Sequence, residues 1–137
     1  MRNIPYGELD GLTIEKYCKN IPFFDGVFPR NKVPRRERGR KFMCFVYNLD
    51  SDRSPGTHWT AFVYYKGKCV FFDSFGGLKP TKELIKNFGS NIMYNEKKFQ
   101  KYNTKSCGRW CIKFLFHIYN CYYKKRKNID KNVFKFK

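Results

Sequence analysis

Cys107 is the residue whose surroundings most resemble a nucleophile's. It opens a stretch, Cys107 to Tyr123, with apolar residues at 107, 110, 111, 114, 115, 118 and 122. Arg109, Lys113, His117, Asn120 and Lys124 fall on the other side. That spacing predicts an amphipathic helix. Backbone N–H groups at a helix start lack intrahelical partners, and the dipole there favours negative charge. A thiol so placed has its pKa lowered from about 8.5 and becomes the better nucleophile near neutrality. Gly108, next to it, would leave room for a substrate backbone to approach. The preceding Tyr102-Asn103-Thr104-Lys105-Ser106 offers no apolar setting that would make Cys107 an ordinary core residue. Cys111, one turn on, sits in the buried stripe and reads as core. Cys18, Cys44 and Cys69 lie in apolar segments and read as small buried hydrophobes.

A thiol nucleophile needs a base, and His58 with Asp73 could supply it. Two apolar runs, Trp59–Tyr65 and Cys69–Phe72, flank Lys66-Gly67-Lys68, a hairpin signal. A two-residue turn at Lys66-Gly67 pairs Tyr65 with Lys68, which sets Asp73 opposite Thr60. His58, two residues from Thr60, then projects from the same face as Asp73. Such diagonal neighbours lie roughly 7–8 Å apart at Cβ, within reach of an imidazole–carboxylate bond. That bond would fix the tautomer and leave the second ring nitrogen for a third group. Taken singly, His58 reads as an ordinary surface or core histidine and Asp73 as a residue closing a strand. Their joint placement gives them meaning. Gln100, seven residues before Cys107, could point its amide at the same oxygen as the Cys107 N–H if loop 101–106 folds back. Two such donors stabilise an oxyanion. Cys107, Cys111, His117 and Cys121 also imitate zinc-ligand spacing. On one helix the first and last stand roughly 21 Å apart, whereas a zinc ion needs its ligands within about 2.3 Å.

Several elements must position these groups. A short helix is predicted over 10–19 and a strand over 41–47, rich in aromatic and β-branched residues. Residues 25–34, with Gly26, Pro29 and Pro34, read as a loop, as do residues 48–57. A helix over 80–88 and a short strand over 91–94 lead to the segment before Cys107.

At 137 residues the chain is one domain, and 42% hydrophobic with 20% aromatic residues it should fold around its own core. No run reaches the roughly 20 apolar residues of a membrane span, and Met1-Arg2-Asn3-Ile4-Pro5 lacks a signal-peptide core. An intracellular protein with free thiols is expected, in which an even count of six cysteines is no evidence for disulfides. Twenty-nine Lys and Arg against eleven acids leave +18. The cations run together at Arg35-Arg36-Glu37-Arg38-Gly39-Arg40-Lys41 and Lys124-Lys125-Arg126-Lys127. Such an excess attracts polyanions, although the chain carries no zinc-finger, homeodomain or RNP pattern that would read a base sequence.

The order His, Asp, Gln, Cys is recognisable. Gly56-Thr57-His58-Trp59, Phe72-Asp73-Ser74-Phe75-Gly76, Phe99-Gln100 and Ser106-Cys107-Gly108 resemble the adenovirus-type cysteine proteases, which share a fold with the SUMO-specific proteases. The chain is most similar to the adenovirus-like (adenain-like) proteases of Polinton (Maverick) elements and related large DNA viruses. There a segment like Gly26-Val27-Phe28-Pro29-Arg30-Asn31 precedes the His motif, and a Pro and Glu like Pro80 and Glu83 follow Asp-Ser-Phe-Gly. The likeness spans about residues 10 to 120. It implies an α+β fold, papain-like in the adenovirus- and SUMO-protease manner. A central mixed β-sheet with flanking helices would carry the nucleophile at the N-terminus of a buried helix. A protease domain over 1–123 followed by a basic tail, 124–137, is expected. The roles implied are Cys107 as nucleophile, His58 as general base and acid, Asp73 as its orienter and Gln100 in the oxyanion hole. Trp59 would pack beside the histidine. No metal or organic cofactor is implied; DNA is, as an activator. Substrates would be virion precursor proteins, in a virion or in the host nucleus or cytoplasm. SUMO or ubiquitin-like deconjugation is the alternative within the same fold. A basic DNA-binding protein without catalysis is the alternative outside the enzyme class. The chain is short for this group, and 124–137 lies outside the likeness.

Overall fold

A computed structural model describes residues 4–50, 58–101 and 104–137. In chain order the elements are α1 (Gly11–Cys18), β1 (Phe24–Phe28), β2 (Phe42–Asn48), β3 (Trp59–Tyr65), β4 (Lys68–Phe72), α2 (Lys82–Phe88), β5 (Ile92–Tyr94) and α3 (Cys107–Ile118). The result is an α+β fold, a five-stranded mixed sheet with helices against it. Its strand order is β1-β2-β3-β4-β5, with β1–β2 and β4–β5 parallel and the two central pairs antiparallel.

The β3–β4 hairpin turns on Lys66 and Gly67, both at positive φ (46° and 86°). That is the turn geometry whose twist matches the flanking strands. Tyr65 pairs with Lys68 and Ala61 with Phe72, the register expected from a two-residue turn. It runs Trp59 and Asp73 off the same end of the sheet. β2 is buried at all seven positions because both faces are covered. On one face Phe42, Cys44, Val46, Val63 and Phe72 meet Ile14, Cys18, Phe114, Leu115 and Ile118. On the other Met43, Phe45, Phe62 and Phe71 meet Leu84 and Ile92. Cys18, Cys44 and Cys69 are buried and free, as expected of small hydrophobes.

Two expectations are corrected. Residues 25–34, read as a loop, contain most of β1, an edge strand pairing parallel with β2 across an irregularity between Phe24 and Val27. Gly26 sits inside that irregularity and Pro29 just past the strand's end, positions on an edge strand where broken ladder bonds cost little. The helix read as running from 107 to 123 ends its α-helical part at Ile118 and widens into a π-helical turn over Tyr119–Tyr123.

The basic segment 124–137 comes back over α3. Lys124, Lys125, Arg126, Lys127, Lys131, Lys135 and Lys137 are exposed, while Ile129 and Val133 are buried. Phe136 stacks on Phe99 (centroids 4.8 Å apart) and packs against Phe114 (5.8 Å). No helix among the described residues is long and apolar enough to cross a membrane.

Candidate active site

α3 begins at Cys107, and its N-cap residue, Ser106, makes no side-chain capping bond. The first N–H groups of the helix therefore have no capping side chain, and the helix dipole favours an anion beside them. α3 packs on β3 and α1, which brings its first turn to the sheet end where the hairpin leaves His58 and Asp73.

His58 Nε2 is hydrogen-bonded to Asp73 Oδ1, the partners named from strand parity. Asp73 is 3% exposed and its carboxylate also accepts the Phe75 N–H (3.3 Å). The other ring nitrogen, His58 Nδ1, is buried with no hydrogen-bond partner among the described residues. The ring and the Cys107 sulfur are nevertheless close enough to shift each other's titration. Burial alone would lower the His58 pKa; the Asp73 carboxylate, helped by the Cys107 sulfur, overrides it and lifts the imidazole to about 9. Burial alone would raise the Cys107 thiol; His58 and the N–H groups of Trp59 and Gly108 override it and hold the thiol below its ordinary value. Shifts in these directions each favour the charged form of the group, thiolate on Cys107 and imidazolium on His58.

Trp59 does more than pack. Its backbone N–H donates to Cys107 Sγ (3.4 Å), and its indole N–H donates to the Leu9 carbonyl (2.9 Å). The second bond draws residues 8 and 9 alongside the site. A cleft of about 230 Å³ results, lined by Glu8, Leu9, His58, Trp59, Phe75, Gln100, Thr104, Lys105 and Cys107. Glu8 and Lys105 form an exposed ion pair at its edge (3.8 Å). Phe75 stacks on the His58 ring (4.9 Å, 25°) and fixes its plane.

The role expected of Gly108 is corrected. A Cβ there would lie 3.1 Å from Ile14 Cδ1 and 3.2 Å from Leu9 Cβ. The space belongs to the protein's own packing, and no substrate backbone enters it.

Gln100 is 5% exposed and lines the cleft, as proximity to an oxyanion would require. Its Oε1 accepts from the Ser74 hydroxyl, and its Nε2 donates to the Thr104 carbonyl and hydroxyl (3.1 Å each). The side chain is held firmly, with its donors on Thr104. The segment 99–101 is fixed from the same place, since Phe99 N and Gln100 N both donate to the Ser74 carbonyl (2.7 and 3.1 Å).

Sequence reasoning missed Ser74 and Asn95. Ser74 is fully buried and ties Gln100 to the turn after β4. Asn95 is 2% exposed and binds the main chain of Asp73 on both sides: Asp73 N donates to its Oδ1 (3.0 Å) and its Nδ2 donates to the Asp73 carbonyl (2.7 Å). Gly76, at φ 76°, fits where a Cβ would lie 2.5 Å from the Glu96 carbonyl oxygen. Residues Gly56 and Thr57 of the His motif lie outside the described residues.

Cys111, His117 and Cys121 are strung along α3 and the turn after it. Among the described residues no three His, Cys, Asp or Glu side chains gather as a metal site. No protein-family model matches the chain, and no curated protein matches it.

Proposed function

We propose that this chain is a cysteine endopeptidase, papain-like in the manner of the adenovirus-type and SUMO-specific proteases that its motifs resemble. One observation carries the reading. A helix-initial thiol with a depressed pKa shares a narrow cleft with an imidazole whose far nitrogen is held by a buried carboxylate.

The chemistry follows from those positions. His58 takes the Cys107 proton, and Asp73 stabilises the imidazolium and its tautomer. The thiolate attacks the scissile carbonyl to form a tetrahedral intermediate. The Cys107 N–H and one Gln100 N–H, turned from Thr104, receive the oxyanion. His58 returns the proton to the leaving amine as the carbon–nitrogen bond breaks, leaving a thioester on Cys107. Water, deprotonated by His58, hydrolyses that thioester and restores the thiol.

On the resemblance, the substrates are structural precursor proteins of a virus or mobile element. The second partner is nucleic acid. Arg35, Arg36 and Arg38 are exposed, as are the cations of 124–127. Lys41, Lys66, Lys124 and Arg126 border a groove of about 500 Å³ together with Tyr65, Tyr119 and Tyr123. It lies at the turn end of the hairpin, the opposite end of the sheet from the cleft, and its mixture of cations and rings suits a phosphate backbone with bases.

A peptide-library cleavage assay tests the reading. The wild-type chain should cut a subset of the library peptides and Cys107→Ala should lose about 10⁴-fold or more. Undiminished cleavage by Cys107→Ala would refute it. The same assay with DNA added should show a gain that fades with salt.

A further inference from the structure

The β4–β5 ladder is parallel and ends at the pair Phe71↔Tyr94. β5 stops at Tyr94, while β4 runs on through Phe72 and then becomes the turn that holds Asp73. A backbone at that point would be left with unpaired donors and acceptors in a buried setting, at a cost in free energy. Asn95 fills the gap with its side chain. Its carboxamide accepts the Asp73 N–H and donates one hydrogen to the Asp73 carbonyl, so it takes the place of the next residue of a neighbouring strand. The other amide hydrogen goes to the Lys97 carbonyl (2.9 Å). Every polar atom of that side chain is used.

What the clamp holds is the tripeptide Asp73-Ser74-Phe75, and each of its side chains touches one working group. Asp73 binds His58 Nε2, the Ser74 hydroxyl binds Gln100, and Phe75 stacks on the His58 ring. The turn closes on the same residue from behind, as Gly77 N donates to the Asn95 carbonyl (3.0 Å). Asn95 itself is not among the cleft-lining residues. A group that never meets substrate thus fixes the main chain from which both the imidazole and the oxyanion donor are steered.

We propose that Asn95 is a positioning residue of the site, a one-residue substitute for a missing strand that sets the aim of Asp73-Ser74-Phe75. The proposal rests on the protease reading of the cleft. Only a carboxamide of this length does the work: aspartate keeps the acceptor but has no N–H₂, and serine cannot reach both main-chain groups.

The test measures alkylation of Cys107 by iodoacetamide as a function of pH, followed by mass spectrometry, in wild type, His58→Ala, Asn95→Asp and Asn95→Ser. The other charged groups at the cleft, Glu8 and Lys105, are the same in all four, as is the Cys111 thiol one turn away. In wild type the alkylation midpoint should lie well below that of an ordinary thiol, and His58→Ala should raise it. Asn95→Asp should move the midpoint toward that of His58→Ala, and thiolate at neutral pH should fall roughly tenfold for each pH unit by which the midpoint rises. Asn95→Ser should move it in the same direction. Leu84→Ala, which removes a fully buried side chain from the opposite face of the sheet, serves as a destabilised control and should leave the midpoint unchanged. An unmoved midpoint in folded Asn95 variants would overturn the proposal, and so would unfolding of both, which would make Asn95 a folding residue. A wild-type midpoint insensitive to His58→Ala would instead sink the protease reading itself.

Discussion

Cys107 and Cys111 stand one turn apart on the same helix, both buried, and their thiols are driven in opposite directions. Around Cys111 there is only core. Burial comes first and pushes the thiol well above its ordinary value, with the charges of Cys107, Asp73 and Cys18 adding to the same effect. Around Cys107 burial pushes the same way but is outweighed by an imidazole and two N–H groups. Depth in the fold is nearly equal, at 7% and 0% exposure. The difference lies in what the neighbours can donate, and it depends on the hairpin delivering His58 and the Trp59 N–H to one turn of α3 and not the next.

Asp73→Asn is the most severe way to break that contrast without touching the thiol. An amide in place of the carboxylate favours the wrong imidazole tautomer and no longer stabilises the imidazolium, so kcat should fall by about 10³–10⁴-fold. Cys107 should then titrate upward, toward Cys111. Peptide cleavage together with alkylation at several pH values checks both consequences; a kcat within a few-fold of wild type would detach Asp73 from the chemistry.

A smaller effect should appear in stability against pH. The His58 pKa is raised from its ordinary 6.5 to about 9 in the folded chain. Its contribution is therefore complete below the unfolded value and is lost as pH rises through about 9. Urea midpoints should decline across that window in wild type and decline less in His58→Ala. Parallel curves for the two proteins would contradict the raised value.

Cys111→Ala should sharpen the comparison from the other side. It removes a packed sulfur and no reacting group, so stability should drop by roughly 1–2 kcal/mol while kcat/KM holds. Chemical denaturation and the peptide assay, run in parallel, measure the two. A large loss of activity in a folded Cys111→Ala protein would mean that the wrong thiol has been given the chemistry.

Much of this site was legible in the sequence because it is built from local rules. A two-residue turn fixes the parity of the hairpin, and parity puts His58 beside Asp73. A 3.6-residue period fixes where α3 begins, and so sets Cys107 on the turn that His58 and the Trp59 N–H reach. The illegible parts are those where distant segments meet. β1 hides because glycine and proline punctuate it, and its pairing with β2 is visible only once the sheet is assembled. Gly108 reads as an opening in the sequence but is filled by Leu9 and Ile14, roughly a hundred residues earlier in the chain. Asn95 follows a three-residue strand and would pass for a turn residue; nothing local says that its carboxamide replaces a backbone. The segment 124–137 advertises its lysines, and the interleaved Ile129, Val133 and Phe136 that dock it are easily passed over beside them.

The clearance at Gly76 has a consequence for sequence variation. A hydrogen atom is all that fits between that turn and the carbonyls of Glu96 and Lys97. An inherited change there to alanine, among the mildest replacements in any substitution table, would shove aside the loop that carries the acid. Such an allele would keep Cys107, His58 and Asp73 in its coding sequence and still displace the turn that holds Asp73, so a survey that scored only those three would file it as intact.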